Sequence, residues 1–468
     1  MDRLARDVIA QLPLAEAVLL VWSHLADETF LRDLFEDHRG RCYQKVLTFP
    51  VLVSLIADAL LEHGGSGRQS FERAAEDGQL LASIQAAYGK LGRIPIPLSE
   101  ALLTHGTERL RALFPEGTTS PVPPSLRGFS AVILDGKAIK QVARRLKPLR
   151  GVTGGVLGGK ALVALALDSG LAVAMSAHPD GEANEIRLVP EVLPQVRRVV
   201  PGARLWVADS QFCDLEQTSR FTAEGDHFLV RYHPKVHFHA DPDRPARGGR
   251  DRRGLPYVEE WGWLGGEGDR RRRYVRRITL RRPGQEDVAV VTDLLEPDRY
   301  PAVDLLELYL GRWGIERMFQ QVTEVFRLQR LIGGTPQATV FQCAFCLLLY
   351  NVIQVVRAQV AVARGYEPER VSTEKLFGDV QRELIAWSVV IDPPARVAGS
   401  EWPRTASLIT GRLKDLLGSV WSDRWLKAPA KKCSAPPARR KLPGNHTSVH
   451  RILEEHRNER KVVQQPKR

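Results

Sequence analysis

Two aspartates stand at the ends of apolar runs. Asp135 closes AVILD and is followed by Gly136 and Lys137; Asp209 closes LWVAD and is followed by Ser210 and Gln211. A carboxylate at the end of a buried strand sits where α/β folds place ligands. Taken singly, each reads more readily as a turn or helix-cap aspartate. A third acid is more specific. Tyr309, Arg312 and Glu316 fall at i, i+3 and i+7, and Gln320 and Thr323 continue the series at i+11 and i+14. At 3.6 residues per turn these five share one helical face. Read on its own helix, Arg312 with Glu316 is equally an i,i+4 ion pair worth about 0.2–0.5 kcal/mol.

Other candidates for chemistry are weaker. Residues 154–160, GGVLGGK, fit the spacing of a phosphate-binding loop, but Ala161 follows where a hydroxyl is needed, and a strand rather than a helix comes next. A glycine-rich hairpin is the preferred reading. His233, His237 and His239 lack a spaced Cys or acid set, so solvated strand histidines are expected. Cys343 and Cys346 have CxxC spacing without a second ligand pair, and read as core thiols. Trp261 and Trp263 lie among arginines, a setting that suits base stacking, although packing of a small β-unit explains them more simply.

These residues need a frame. The first hundred or so residues carry helical stripes, as in Leu14, Ala17, Val18, Val21 and Leu25, and a second helix is expected from near Pro50. A proline-rich linker follows. SAVILDGKAI, KALVALALD, LAVAMSAH, RLWVADS and HFLVRYH are short apolar runs bounded by Gly, Asp and Pro. With helices between the later ones, they predict an α/β domain. The expected organisation is a helical N-terminal domain over 1–113, a linker over 114–128, and an α/β core over 129–233. The core is interrupted by a β-rich basic insertion over 234–295 and resumes over 296–365. A helical region over 366–426 and a flexible basic tail over 427–468 complete the chain. The uncharged run 331–356 is long enough to cross a membrane, but its Gln, Asn and Thr residues favour a buried core helix.

The chain of 468 residues has 43% hydrophobic and 26% charged residues, which excludes wholesale disorder. Five cysteines cannot make a disulfide framework and suggest a reducing compartment. The first residues are interrupted by charge too often for a signal peptide, so a soluble cytoplasmic protein is expected. The net charge of +12 is unevenly placed. Residues 1–111 hold 12 Lys/Arg against 15 Asp/Glu, residues 244–282 hold 13 against 5, and residues 424–468 hold 13 against 3. A polyanion, with nucleic acid favoured, is the natural partner of such concentrated charge.

Together the motifs resemble the DDE transposases of bacterial insertion sequences, in the insertion-sequence-four superfamily. That family's signature is a Tyr, two residues, Arg, three residues, Glu, six residues, Lys; YLGRWGIERMFQQVT matches at Tyr309, Arg312 and Glu316 and has Thr323 at the Lys position. The resemblance extends through ILDGK, GEANEI and VADSQF, and covers about 125–365. It implies a ribonuclease-H-like mixed sheet core in which Asp135, Asp209 and Glu316 are catalytic and hold two Mg²⁺ (or Mn²⁺). Clustered carboxylates raise one another's pKa unless cations compensate, and two divalent ions clamp both oxygens of a phosphoryl transfer. Arg312 would clamp a phosphate, Tyr309 would orient a phosphate or Glu316, and Arg327 would substitute for the missing lysine. Further DNA contacts are expected from Arg270, Arg271, Arg272 and Arg273 of the insertion and from Lys431, Lys432, Arg439, Arg440 and Lys441 of the tail, and the resemblance assigns end-DNA recognition to the N-terminal domain over 1–113, although its net charge is acidic. The implied activity is strand cleavage and strand transfer at the ends of a mobile element. Its partners would be double-stranded end and target DNA, with a homodimer in the synaptic complex and no membrane. A catalytically impaired relative that binds DNA or inhibits is the alternative, and a nuclease that cuts without joining is a third.

Overall fold

The computed structural model describes residues 11–115, 118, 121–140, 142, 144, 146–390, 405–428 and 446–463. The apolar runs fold as strands β1 (Ser130–Ile139), β3 (Gly159–Ala166), β4 (Ala172–His178), β5 (Arg204–Ala208) and β6 (His227–Arg231), with a short β2 (Gly155–Leu157) ahead of β3. The arginine-rich segment adds β7 (Phe238–Ala240), β8 (Arg247–Arg250), β9 (Pro256–Leu264), β10 (Arg273–Leu280) and β11 (Val288–Thr292), and β12 (His446–Ser448) comes near the C-terminus. All but β2 and β12 form one ten-stranded mixed sheet in the order β4-β3-β1-β5-β6-β11-β10-β9-β7, with β8 also on β9. β1, β3 and β4 are antiparallel neighbours, while β5 and β6 run parallel to β1.

The segment expected as a β-rich insertion is indeed built of strands, and these continue the main sheet. Val291 of β11 pairs with Val230 of β6, and both are fully buried, so the sheet has no edge there. Inside this extension a cross-strand ion pair, Arg276 with Glu259, is buried, and Arg276 also donates to the Tyr300 carbonyl at 2.6 Å. Part of the arginine surplus is therefore spent on structure.

The helices are α1 (Pro13–Leu25), α2 (Glu28–His38), α3 (Phe49–Leu61), α4 (Gly67–Glu76), α5 (Ile84–Leu91), α6 (Ile96–Arg111), α7 (Val189–Val199), α8 (Leu215–Phe221), α9 (Ala302–Leu310), α10 (Trp313–Glu324), α11 (Pro336–Ala363), α12 (Thr373–Val390), α13 (Ala406–Leu417) and α14 (Val449–Val463). Residue alternation splits the sheet into two faces. Val132, Leu134, Trp206 and Ala208 pack beneath α7, whereas Ala131, Ile133, Leu205 and Val207 join the cluster that contains α11. α11 holds the uncharged run; it is apolar on all sides, and its most apolar stretch is entirely buried, as a central core helix requires.

The N-terminal helices do not have a core of their own. Leu14, Val21, Phe49, Ile56 and Leu102 belong to the same hydrophobic cluster as Phe341, Phe345 and Leu348 of α11. Helix α1 begins without a side-chain cap from its own chain neighbours. Instead, Glu383 of α12 accepts from the amides of Leu14 at 2.8 Å and Ala15 at 3.1 Å, satisfying helix-terminal donors across 369 residues of sequence.

The C-terminal segment departs from a flexible tail where it is described. β12 pairs in parallel with β2, Val449 is fully buried, and Arg451 bridges to Asp180 at 2.9 Å. Backbone pairing and one buried valine outweigh the high charge here. Lys431, Lys432, Arg439, Arg440 and Lys441 lie outside the described residues.

One buried acid makes stability depend on pH. Glu100 of α6 accepts from the Ala177 amide at 2.7 Å, and burial pushes its carboxyl up to about 7, with Glu191 adding to the rise. Its folded pKa exceeds the unfolded value, so its contribution is full below about 4.3 and is lost as pH rises through about 7. Glu100→Gln is expected to remove that loss, raising stability at pH 8 relative to pH 5 by up to about 3 kcal/mol compared with the parent. Urea midpoints at the two pH values measure the difference.

Candidate active site

The parallel register of β1 and β5 brings the two aspartates together. Ile133 faces Val207 and Leu134 faces Ala208, so Asp135 and Asp209 are the next residues on strands about 4.8 Å apart. By alternation both side chains face the side of Ile133 and Val207. Tyr309, Ile315, Met318 and Phe319 of α9 and α10 pack into that same cluster. The helical face read from the sequence is interrupted at Gly311 and Arg312, where i→i+3 bonds from Arg312 to Tyr309 (3.0 Å) and from Ile315 to Arg312 (3.1 Å) tighten the turn. Arg312 and Glu316 still meet.

Arg312 is the centre of the arrangement. It is only 8% exposed, donates to Glu316 Oε1 at 3.1 Å and lies 3.7 Å from Asp135 Oδ2. Burial opposes its charge, yet Tyr309, Asp209, Asp135 and Glu316 together hold the guanidinium above the usual arginine range. Burial pushes the Asp135 carboxyl up to about 6, with Arg312 and the Gly136 amide pulling the other way and Glu185 and Glu316 adding to the rise. Burial likewise pushes the Tyr309 hydroxyl up to about 12, with Arg312 opposing and Asp209 reinforcing. Asp209 accepts from the Ser210 amide at 2.7 Å.

The donors are all carboxylate oxygens, the kind that hard divalent cations take, and a buried Asp135 beside two further acids calls for added positive charge. Chemically the set fits such an ion. As placed, Asp135 and Glu316 turn to the guanidinium, and among the described residues no three acidic, His or Cys side chains converge closely enough to enclose a metal. The three histidines 233, 237 and 239 likewise form no such group, and Cys343 and Cys346 are buried core thiols, with burial pushing Cys343 up to about 12.

Three other expectations change. Thr323 turns its hydroxyl back to the Phe319 carbonyl at 2.7 Å, on its own helix. Arg327 does not continue that face: α10 ends at Glu324, and Arg327 adopts a left-handed backbone, φ 65°, with its Cβ near Gly65. A helical extrapolation cannot pass that reversal. In the β9–β10 connection, Arg271 bridges to Glu216 at 3.5 Å, the Arg272 guanidinium lies 4.7 Å from the Trp263 ring centre, burial depresses Arg273, and Arg270 is exposed. Trp261 is packed and donates to the Leu295 carbonyl, whereas Trp263 is partly open.

A fourth acid was not singled out from the sequence. Glu185, 6% exposed, pairs with Lys160 at 2.5 Å, accepts from Nε2 of the Gln211 side chain, and lies over Gly136, where an added Cβ would sit 1.7 Å from Oε2. It thereby joins the residue after Asp135, the turn after Asp209, and β3. The signal was the second acid of GEANEI, which carries no periodicity of its own.

Residues 127–352, just under half of the chain, match the family model of the transposase DDE domain. A Sinorhizobium fredii protein provisionally named transposase y4zB is 25% identical over 81 residues, which are 17% of this chain and 22% of that relative's length. The cryo-EM structure of the piggyBac transposase synaptic complex with hairpin DNA aligns over 88% of each chain at 10% identity and a TM-score of 0.38, a likeness too low to carry an argument.

The Glu185 contacts predict a coupled pair. Glu185→Ala leaves Lys160 without its partner and is expected to cost about 3 kcal/mol. Gly136→Ala is expected to cost about 1–3 kcal/mol through overpacking, and most of that cost should vanish in the Glu185→Ala background. Denaturant unfolding of the two single variants and the double variant measures the coupling.

Proposed function

We propose that this chain cleaves and joins the DNA of a mobile element, with Asp135, Asp209 and Glu316 as its catalytic carboxylates. The observation that carries the reading is that Arg312 bridges Asp135, at the end of one parallel strand, to Glu316 on the helix, with Asp209 following the neighbouring strand, inside the segment that matches the transposase DDE domain. The strand order β4-β3-β1-β5-β6, three antiparallel strands followed by two parallel ones, supports a ribonuclease-H-like core. Two Mg²⁺ ions held by the three carboxylates would supply Lewis-acid stabilisation of phosphoryl transfer.

The chain's own residues supply the rest. Arg312, already held among the acids, is placed to release Glu316 and take a phosphate oxygen when DNA enters, because a guanidinium serves carboxylate and phosphate alike. Tyr309, protonated at neutral pH, offers a hydroxyl donor beside it. Double-stranded end and target DNA are the substrates, and two copies of the chain pair two ends.

Asp135→Ala, Asp209→Ala and Glu316→Ala are each expected to abolish Mg²⁺-dependent strand cleavage while leaving DNA affinity within a few fold; cleavage that survives any one of them removes that residue from the triad. The impaired-relative reading draws on one observation, that Thr323 is uncharged and turned to its own helix while Arg327 lies past the helix end on a left-handed backbone. Thr323→Lys is accordingly expected to raise strand transfer about tenfold, roughly 1.4 kcal/mol in the barrier. An unchanged rate in a joining assay would show that the lysine is dispensable here.

A further inference from the structure

We propose that the groove between the connection 39–48 and the end of α5 binds a DNA strand, its cations on the phosphates and Tyr43 against a base. This deepens the reading of the chain as one that acts on DNA and rests on it. The groove, of about 310 Å³, is lined by Arg41, Tyr43, Lys45 and Val46 from the connection, and by Lys90 and Arg93 from the end of α5 and the turn beyond.

Its charge is opposite to that of its surroundings. Residues 1–111 carry more acids than bases, yet these four cations meet in one concavity. Among the described residues none of the four forms an ion pair with a carboxylate, whereas Arg32, Arg39, Arg68 and Arg73 of the same helical region all do. Glu36, an acid on the adjoining helix, is occupied by Arg39 at 2.7 Å and Gln44 at 3.3 Å. Lys90 is fixed in place by donating to the Leu47 carbonyl, with its ammonium 5.1 Å from the Phe35 ring centre. Burial holds it below the usual lysine range, and neighbouring Arg93 acts in the same direction. Like charges brought together without acids form a site for an anion.

The anion has a flat apolar part. Tyr43 is 74% exposed and Val46 60%, in a region whose other large apolar side chains are mostly buried. An unburied aromatic ring beside phosphate-binding cations is the combination by which proteins hold nucleic-acid strands, with base stacking worth about 1–3 kcal/mol. A lipid headgroup or an inorganic phosphate would use the cations and leave the ring idle.

The test uses the full chain in EDTA, so that strand cleavage plays no part, with fluorescence anisotropy on a labelled 30-nucleotide strand and its duplex. Arg41→Gln, Lys45→Gln and Arg93→Gln combined are expected to weaken binding at least tenfold and to reduce the slope of log affinity against log salt by about two to three. Tyr43→Ala is expected to weaken single-strand binding several fold beyond its effect on duplex, and Tyr43→Phe to restore it. Circular dichroism on each variant checks folding, and Lys45→Glu alone provides a milder substitution with the same expected direction. Unchanged affinity and slope in the folded triple variant overturn the proposal, even where the carboxylate variants have lost cleavage. So does a triple variant that keeps DNA binding and loses binding to phosphatidylserine vesicles, which would mark a headgroup site. If the parent chain binds neither DNA, the reading of the chain as a DNA-acting enzyme falls with it.

Discussion

The parallel pairing of β1 with β5 is the constraint on which the candidate site depends. Side chains alternate between sheet faces, so a slip of one residue in either strand would send one aspartate into the α7 face. Register is held by what lies upstream: Ile133 and Val207 in one fully buried layer, Val132, Leu134, Trp206 and Ala208 in the other. Neither layer tolerates a carboxylate, so the packing that stabilises the sheet is also what aims the acids.

Charge balance is the second constraint. Bringing Asp135, Asp209, Glu316 and Glu185 near one another in a largely buried setting is unfavourable unless positive charge accompanies them. Two basic side chains from different elements do so, Arg312 on the tightened turn before α10 and Lys160 on β3. Each is nearly buried, and each holds its acid from a different direction. The interruption at Gly311 matters here, because the tightened turn sets the angle at which Arg312 enters the cluster.

Much of this was legible in the sequence. The strands ended about where their apolar runs ended, and the tyrosine, arginine and glutamate spacing placed its residues on one side. The uncharged run became a central helix because its few polar residues find partners inside, Asn351 on the Ala172 backbone and Gln342 on Ile332 and Arg330. What was not legible depends on contacts between distant segments. Arg327 was misplaced because periodicity extrapolates past a helix end that a left-handed residue reverses. Glu185 gained its position only through Lys160 and Gln211. Strand β11 joined the main sheet through pairing with β6, which no local pattern announces. The N-terminal helices read as a domain because their stripes are locally complete, although the surface those stripes cover belongs to α11.

The bond from Glu383 to the first turn of α1 has a consequence for synthesis. At roughly 5–20 residues per second, the 369 residues separating Leu14 from Glu383 take roughly 20 to 70 s to make. Throughout that interval α1 lacks its distant cap, and for most of it α1 and α3 both lack the apolar helix they enclose. Helices made well before α11 are thus among the last to be completed, and their leucine and valine stripes remain available to chaperones, or to other nascent chains, until α11 and α12 have been made.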